Sequence, residues 1–153
     1  MRVVDYCQKL ELPYFGAEQP GDTYYMSPLA INCYGLVDVA GKVETSEEGV
    51  QSYKHLLHTY LYDEGDAGCG GDNVTSLILK NIHDGGLLDS TKRPGGKLVV
   101  GMDNCPSQNK NNHLLRALCT WLVEKEYFDD VLCLFLVKGH TKNPGDHLFN
   151  YLK

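Results

Sequence analysis

The stretch "LVVGMDNCPSQNKNN", Leu98–Asn112, decides how this chain is read. Five mostly apolar residues run into Asp103, and the segment beyond it carries hardly any hydrophobic group. The pattern predicts a buried strand over Lys97–Met102 that delivers a carboxylate to the lip of a polar loop. Past the loop, Leu114, Leu115, Leu118, Trp121 and Leu122 fall on one helical face, which predicts a helix over about Asn109–Tyr127. Strand, acid-bearing loop and helix together form half of a crossover connection.

Downstream of that unit, Val131–Val137, "VLCLFLV", is an unbroken apolar run, the mark of a strand covered on both faces. "GHTKN" reads as a loop, with a third helix from about Pro144. Upstream, Val74, Leu77, Ile78 and Ile82 share a helical face, with Asp72 or Asn73 as cap and Gly85-Gly86 as stop. Three strands are expected before this helix: Arg2–Gln8, a run from Leu29 onward, and "HTYLYDE". "LPYFGAEQPGD" reads as a turn-rich connection and "GKVETSEEG" as an acidic loop. The order is β-β-β-α-β-α-β-α. An early antiparallel meander joined to strands added through helical crossovers makes an α/β fold: a mixed five-stranded sheet flanked by helices, in the order of the ribonuclease-H-like fold.

Composition bounds the chemistry. With 153 residues, 42% hydrophobic and 22% charged, the chain suits one globular domain over residues 1–153. No window is apolar enough for a membrane span, and "MRVVDYCQKL" has no signal-peptide core, so an intracellular protein is expected. The six cysteines form no C-x-x-C pair, which removes zinc spacing and predicts reduced, mostly buried thiols. A formal net charge of −6 argues against a free-standing nucleic-acid binder, whose grip rests on Lys and Arg. It is compatible with a nuclease core that concentrates carboxylates for metal. The Asp103 loop has no glycine after the strand, and "GDAGCGGDN" lacks the G-K-[ST] ending of a phosphate loop, so nucleotide binding is not expected.

Three acids carry the candidate chemistry. Asp5 lies inside the first strand, where an aspartate needs a charged or hydrogen-bonding partner unless it faces solvent. Asp103 ends the fourth strand, and alone it reads as an Asx turn with Asn104. Asp146, in "NPGDHLF", alone reads as an acid in a first helical turn. In the proposed order the first and fourth strands are central neighbours, so Asp5 and Asp103 converge and the third helix starts against the same edge. Three converging acids repel one another unless cations intervene. Two divalent ions in such a site activate a water or hydroxyl and stabilise the leaving oxygen of phosphoryl transfer. All-oxygen ligands favour Mg²⁺ or Mn²⁺. His140 stands where it can contact a phosphate or act as an acid. Gln108, Asn109 and Lys110 read either as contacts to a nucleic-acid backbone or as a solvated first turn. Asp63 and Glu64, ending the third strand, are the substitutes if one of the three acids is wrong.

"MDNCPSQNKNN" and "VKGHTKNPGDHLFNYLK" resemble an uncharacterised, transposon-derived domain of eukaryotic proteins with the ribonuclease-H-like integrase and transposase fold. "DYCQKLELPYF" and "YLYDEGDAGCGGDNVTS" are similar to that group's first strand and third strand, so the resemblance spans nearly the whole chain. It departs at Pro106-Ser107, at Gly145 and in the longer "KVETSEEGVQSYKHL". The resemblance implies a DDE/D site of Asp5, Asp103 and Asp146 that binds metal and cuts and joins DNA, with a nuclear location. Set against the group's length, the chain is expected to be a fragment cut within the third helix and lacking flanking DNA-binding regions. Two function classes are compatible with these features: a transposase-like catalytic core, or a degenerate or domesticated module that binds without cutting.

Overall fold

The computed structural model describes residues 1–15, 18–39, 43–45, 51–53, 55–85, 96–124, 127–137 and 149. Its strands are β1 (Arg2–Tyr6), β2 (Leu10–Leu12), β3 (Leu29–Asp38), β4 (Val43–Thr45), β5 (Gln51–Tyr53), β6 (Leu56–Asp63), β7 (Lys97–Met102) and β8 (Asp130–Phe135). Helix α1 spans Gly71–Asp84 and α2 spans Asn112–Ala117, the latter continuing as a wider π-helical stretch over Leu118–Glu124. Six strands form one mixed sheet, and β4 and β5 pair separately.

β3 organises the sheet. It pairs antiparallel with β6 from Ile31↔Asp63 to Asp38↔Leu56. On its other side it pairs antiparallel with β2 near its start and with β1 from Tyr6↔Tyr34 to Arg2↔Asp38. β1 then pairs in parallel with β7, through Arg2↔Val100 and Val3↔Gly101, and β7 in parallel with β8. Across the sheet the order is therefore β6-β3-β1-β7-β8, with β2 continuing the line of β1. β1 and β7 lie at the centre, although 90 residues of chain, numbers 7–96, separate them.

Alternation of side chains sorts the strands into two faces. One face carries Val4, Tyr34, Leu36, Leu98, Val100 and Met102, packed with Val74, Ile78 and Ile82 of α1 and with Leu114, Leu118 and Leu122. Each aliphatic side chain buried this way contributes roughly 1.5–3 kcal/mol. The opposite face holds a smaller cluster of Cys7, Cys33 and Phe149, with Leu57 against it. A polar network ties the sheet to α1. Buried Arg2 donates to Asp38 at 2.9 Å and to Asn81 at 2.7 Å, and Asn81 donates to the Tyr60 hydroxyl at 3.2 Å. The guanidinium thus meets a carboxylate through Nε and an amide oxygen through Nη1, the kind of pairing that burial of a charge calls for. Gly96 takes φ +69°, a left-handed turn that suits glycine, and its N–H donates to Asp129 at 2.7 Å as the chain enters β7.

Several expectations change. The sheet has six strands rather than five, because Leu10–Leu12 of the turn-rich connection pairs with the start of β3. Part of the acidic loop, Val43–Thr45, pairs with Gln51–Tyr53. Helix α1 starts at Gly71 with Gly70 as its cap residue, ahead of the expected Asp72 or Asn73. Two α-helices lie among the described residues; the third, expected from Pro144, lies outside them. The second helix is shorter than expected, and its apolar stripe splits. Leu114, Leu118 and Leu122 are buried while Leu115 and Trp121 are exposed. Leu115 lies in the α-helical part, at the margin of the stripe; the wider i→i+5 winding begins at Leu118 and shifts Trp121 away from the line of Leu118 and Leu122. The apolar run of β8 predicts cover on both faces. Instead the strand alternates, with Leu132 and Leu134 exposed, because it is an edge strand and the described helices cover only its other side.

Phe149 seats directly on Gly35: a Cβ at position 35 would overlap the Phe149 ring and fall 3.2 Å from Leu57. Gly35→Val is therefore expected to lower unfolding free energy by about 1–3 kcal/mol through overpacking. Chemical denaturation measures this loss, and Phe149→Ala in the same background should recover part of it.

Candidate functional site

The site is built by the parallel pairing of β1 with β7. The last pair of that ladder is Val3↔Gly101; two residues on, Asp5 stands within β1 and Asp103 immediately after the end of β7. Val4 and Met102, one residue earlier, both point into the core with the helices. Alternation therefore turns Asp5 and Asp103 to the opposite face, the face of Val3 and Gly101. A Cβ at Gly101 would lie 3.4 Å from the Val3 side chain, as it must if these two positions share a face. Neighbouring strands run about 4.8 Å apart. Continued past the last register pair, the strand alternation puts the two acids at one level and on one face, and both are only part-exposed.

Each carboxylate is oriented locally. Asp5 accepts from the Tyr6 backbone N–H at 2.8 Å. Asp103 accepts from the Cys105 N–H at 3.4 Å, the Asx turn that its sequence suggested, and from the side-chain amide of Asn109 through the same Oδ1. The polar loop closes on the Cys105 carbonyl, which accepts from the N–H groups of Asn109 at 2.8 Å and Lys110 at 3.0 Å. Asn111 then caps α2, its side-chain oxygen accepting from Leu114 N at 3.0 Å.

Three tyrosines cluster on the helix-covered face, opposite the side to which alternation turns Asp5. Tyr6 and Tyr34 stack at 4.7 Å between ring centroids, and the Tyr6 and Tyr62 hydroxyls meet at 2.8 Å. The Tyr34 hydroxyl is buried with no hydrogen-bond partner among the described residues. Burial holds its proton well above the ordinary range, and the charges of both Asp5 and Asp103 push in the same direction.

The other expected residues divide. Asp146 and His140 lie outside the described residues. Asn104 is exposed. Asn109, expected as a backbone contact or a solvated turn, is instead buried against Asp103. Lys110 lies over the Phe135 ring, 5.5 Å from its centroid, which favours a cation–π role. Gln108 gives its carbonyl to the Asn111 side chain at 2.9 Å. Asp63 closes its own turn, accepting from Gly65 N at 2.7 Å and Asp66 N at 3.1 Å. It stands two strands and four residues away from the level of Asp5, roughly 15 Å by sheet spacing. Glu64, next to it, is exposed, so neither substitute joins the pair. Sequence reasoning did not single out the buried Tyr34 hydroxyl, because an aromatic in a strand reads as core or surface packing and nothing in "INCYGLV" marks its hydroxyl.

The oxygens gathered here are carboxylate and amide oxygens, the kind a hard divalent cation takes, and one of them, Asn109 Oδ1, is buried without a partner among the described residues. Among the described residues no group of three His, Cys, Asp or Glu side chains comes together.

Burial sets the alkaline behaviour of this region. The Cys33 thiol is pushed up to about 11 from its ordinary 9.0 by burial and by its neighbour Cys7, and Tyr34 is raised above 10.0. Raised groups contribute stability that is fully present below their unfolded values and lost as pH rises through the folded ones. Stability is expected to hold to about pH 9 and to fall beyond it, and Cys33→Ala should reduce the loss between pH 9 and 11. Denaturant midpoints across that range, with thiol labelling to follow Cys33, measure both.

The comparisons place the chain in a family without assigning it a chemistry. No curated protein and no solved structure matches it. One family model matches residues 42–153, a span that includes Asp103 and Asp146 and begins after Asp5. That span is well over half of the chain, which therefore belongs to the family described as "Domain of unknown function (DUF7869)".

Proposed function

We propose that this chain is a ribonuclease-H-like catalytic core of transposase or integrase type, acting on DNA phosphodiesters with Mg²⁺ or Mn²⁺. The observation that carries the reading is the parallel register Val3↔Gly101 of the two central strands, which, continued two residues, brings Asp5 and Asp103 to one level and one face. The sheet order supports it: three antiparallel strands, then two added in parallel, give the arrangement β6-β3-β1-β7-β8. The sequence resemblance to transposon-derived domains supplies the DNA substrate and the nuclear location. No described helix is long and apolar enough to cross a membrane.

Asp5 and Asp103 would hold the cation, with Asp146 as the third acid. That assignment of Asp146 rests on the sequence resemblance. Bound divalent metal supplies Lewis-acid activation of a water or 3′-hydroxyl and stabilisation of the leaving oxygen. The chain's own contribution is positional. β1 and β7 set where the two acids stand, and the 103–111 loop fixes the orientation of Asp103.

A second reading has its own observation. Asp103 Oδ1 already accepts from Cys105 and Asn109, so the residue serves as a turn former without metal. Together with the net charge of −6, this suits a transposase-derived module that no longer cuts.

Thermal unfolding during Mn²⁺ titration separates the readings. A site that binds only the folded chain adds about 2.7 kcal/mol at 100 times its Kd. The wild type is expected to gain stability, and Asp5→Asn and Asp103→Asn to lose the gain. Asp103→Lys is expected to fold and to show no response to Mn²⁺. A response of equal size in all of these variants would remove the site. Nicking of supercoiled plasmid in Mn²⁺, absent in Asp103→Asn, is the expected activity; binding of Mn²⁺ without nicking selects the second reading.

A further inference from the structure

Asn109 is one of few polar side chains in the interior, 3% exposed, in a loop whose other polar residues face solvent or half-face it. Its two amide atoms are treated unequally. Nδ2 donates to Asp103 Oδ1, while its own Oδ1 is buried with no hydrogen-bond partner among the described residues. An unsatisfied buried carbonyl costs roughly 1–3 kcal/mol, so a site that keeps one calls for a ligand. The orphan oxygen shares its carbon with the nitrogen that donates to Asp103, so it belongs to the surroundings of that carboxylate. The backbone holds it there: Asn109 N–H donates to the Cys105 carbonyl at 2.8 Å, and the loop is pinned at its far side by the Asn111 cap.

We infer that Asn109 is the positioning residue of the carboxylate site and its neutral oxygen donor: its amide hydrogen holds Asp103 in one orientation, and its buried carbonyl serves the divalent cation. The inference rests on the reading of Asp5 and Asp103 as cation ligands. It adds that a neutral oxygen belongs to the set, which lowers the negative charge the site must tolerate when empty. Tying Asp103 Oδ1 to an amide also commits the second oxygen, Oδ2, to the cation, since a carboxylate held through one oxygen presents the other in a fixed direction. A purely structural Asn109 would need its carbonyl satisfied as well as its amide hydrogen, as Asn111 is at the cap.

Calorimetric and thermal-shift titrations with Mn²⁺, on the full chain, test this with two variants of similar volume. Asn109→Leu removes both amide functions and is expected to bind Mn²⁺ about tenfold or more weakly, the usual size of an outer-shell loss. Asn109→Asp puts a second carboxylate against Asp103. It is expected to melt lower than wild type without metal and to gain more from Mn²⁺ than wild type does. A Mn²⁺ affinity in Asn109→Leu equal to wild type overturns the inference and leaves the Asp5 and Asp103 site standing. If Asn109→Leu does not fold, Asn109→Asp decides: a Mn²⁺ gain smaller than that of wild type overturns the inference. Absence of any Mn²⁺ response in wild type overturns the site and this inference together.

Discussion

The pairing of β1 with β7 is the constraint on which the molecule turns. Two register pairs, Arg2↔Val100 and Val3↔Gly101, join the antiparallel half of the sheet to the parallel half. They set the level of every side chain beyond them. Because strand side chains alternate with period two, a slip of one residue would send Asp103 into the helix-covered core and Met102 out to the opposite face. The apolar residues Leu98, Val100 and Met102, all buried, fix the register by the cost of exposing them. The acid pair is therefore held in place by hydrophobic burial on the other side of the same strands.

That division of labour runs through the fold. The face under α1 and α2 carries most of the buried area. The opposite face carries the acids, the small cluster around Phe149 and the exposed Leu132 and Leu134. Burial supplies stability on one face and leaves the other free to hold charge. Arg2 shows the same arrangement at the opposite end of β1, where its charge is met by Asp38 and Asn81 and joins β1, β3 and α1.

The polar loop after β7 is more ordered than its composition suggests. One carbonyl, that of Cys105, gathers several backbone donors, and Asn109 and Asn111 face inward to different tasks. The consecutive residues from Gln108 to His113 look alike on a hydropathy scale, yet Asn109 is buried and Lys110 and Asn112 are exposed. Asparagine carries a donor and an acceptor on one short side chain, so the fold can use it as a cap, a tether or a ligand according to backbone direction.

The sequence alone determined the strands and helices whose periodicity is strong: β1, β3, β6, β7 and α1 stand where alternation and the 74–82 stripe put them. It also singled out Asp5 and Asp103, since a carboxylate within or ending an apolar run is locally anomalous. It did not determine β2 or the β4–β5 pair, which are three-residue strands with no pattern of their own and exist only through their partners. It misjudged the cover of β8, because an apolar run does not reveal whether its strand lies at an edge. Only the tertiary structure decided that Asn109 is interior, that the Tyr34 hydroxyl is buried without a partner among the described residues, and that Asp63 is remote from Asp5. The physical reason is that periodicity is written in neighbours along the chain, whereas the site is written in the register between strands that meet only after folding.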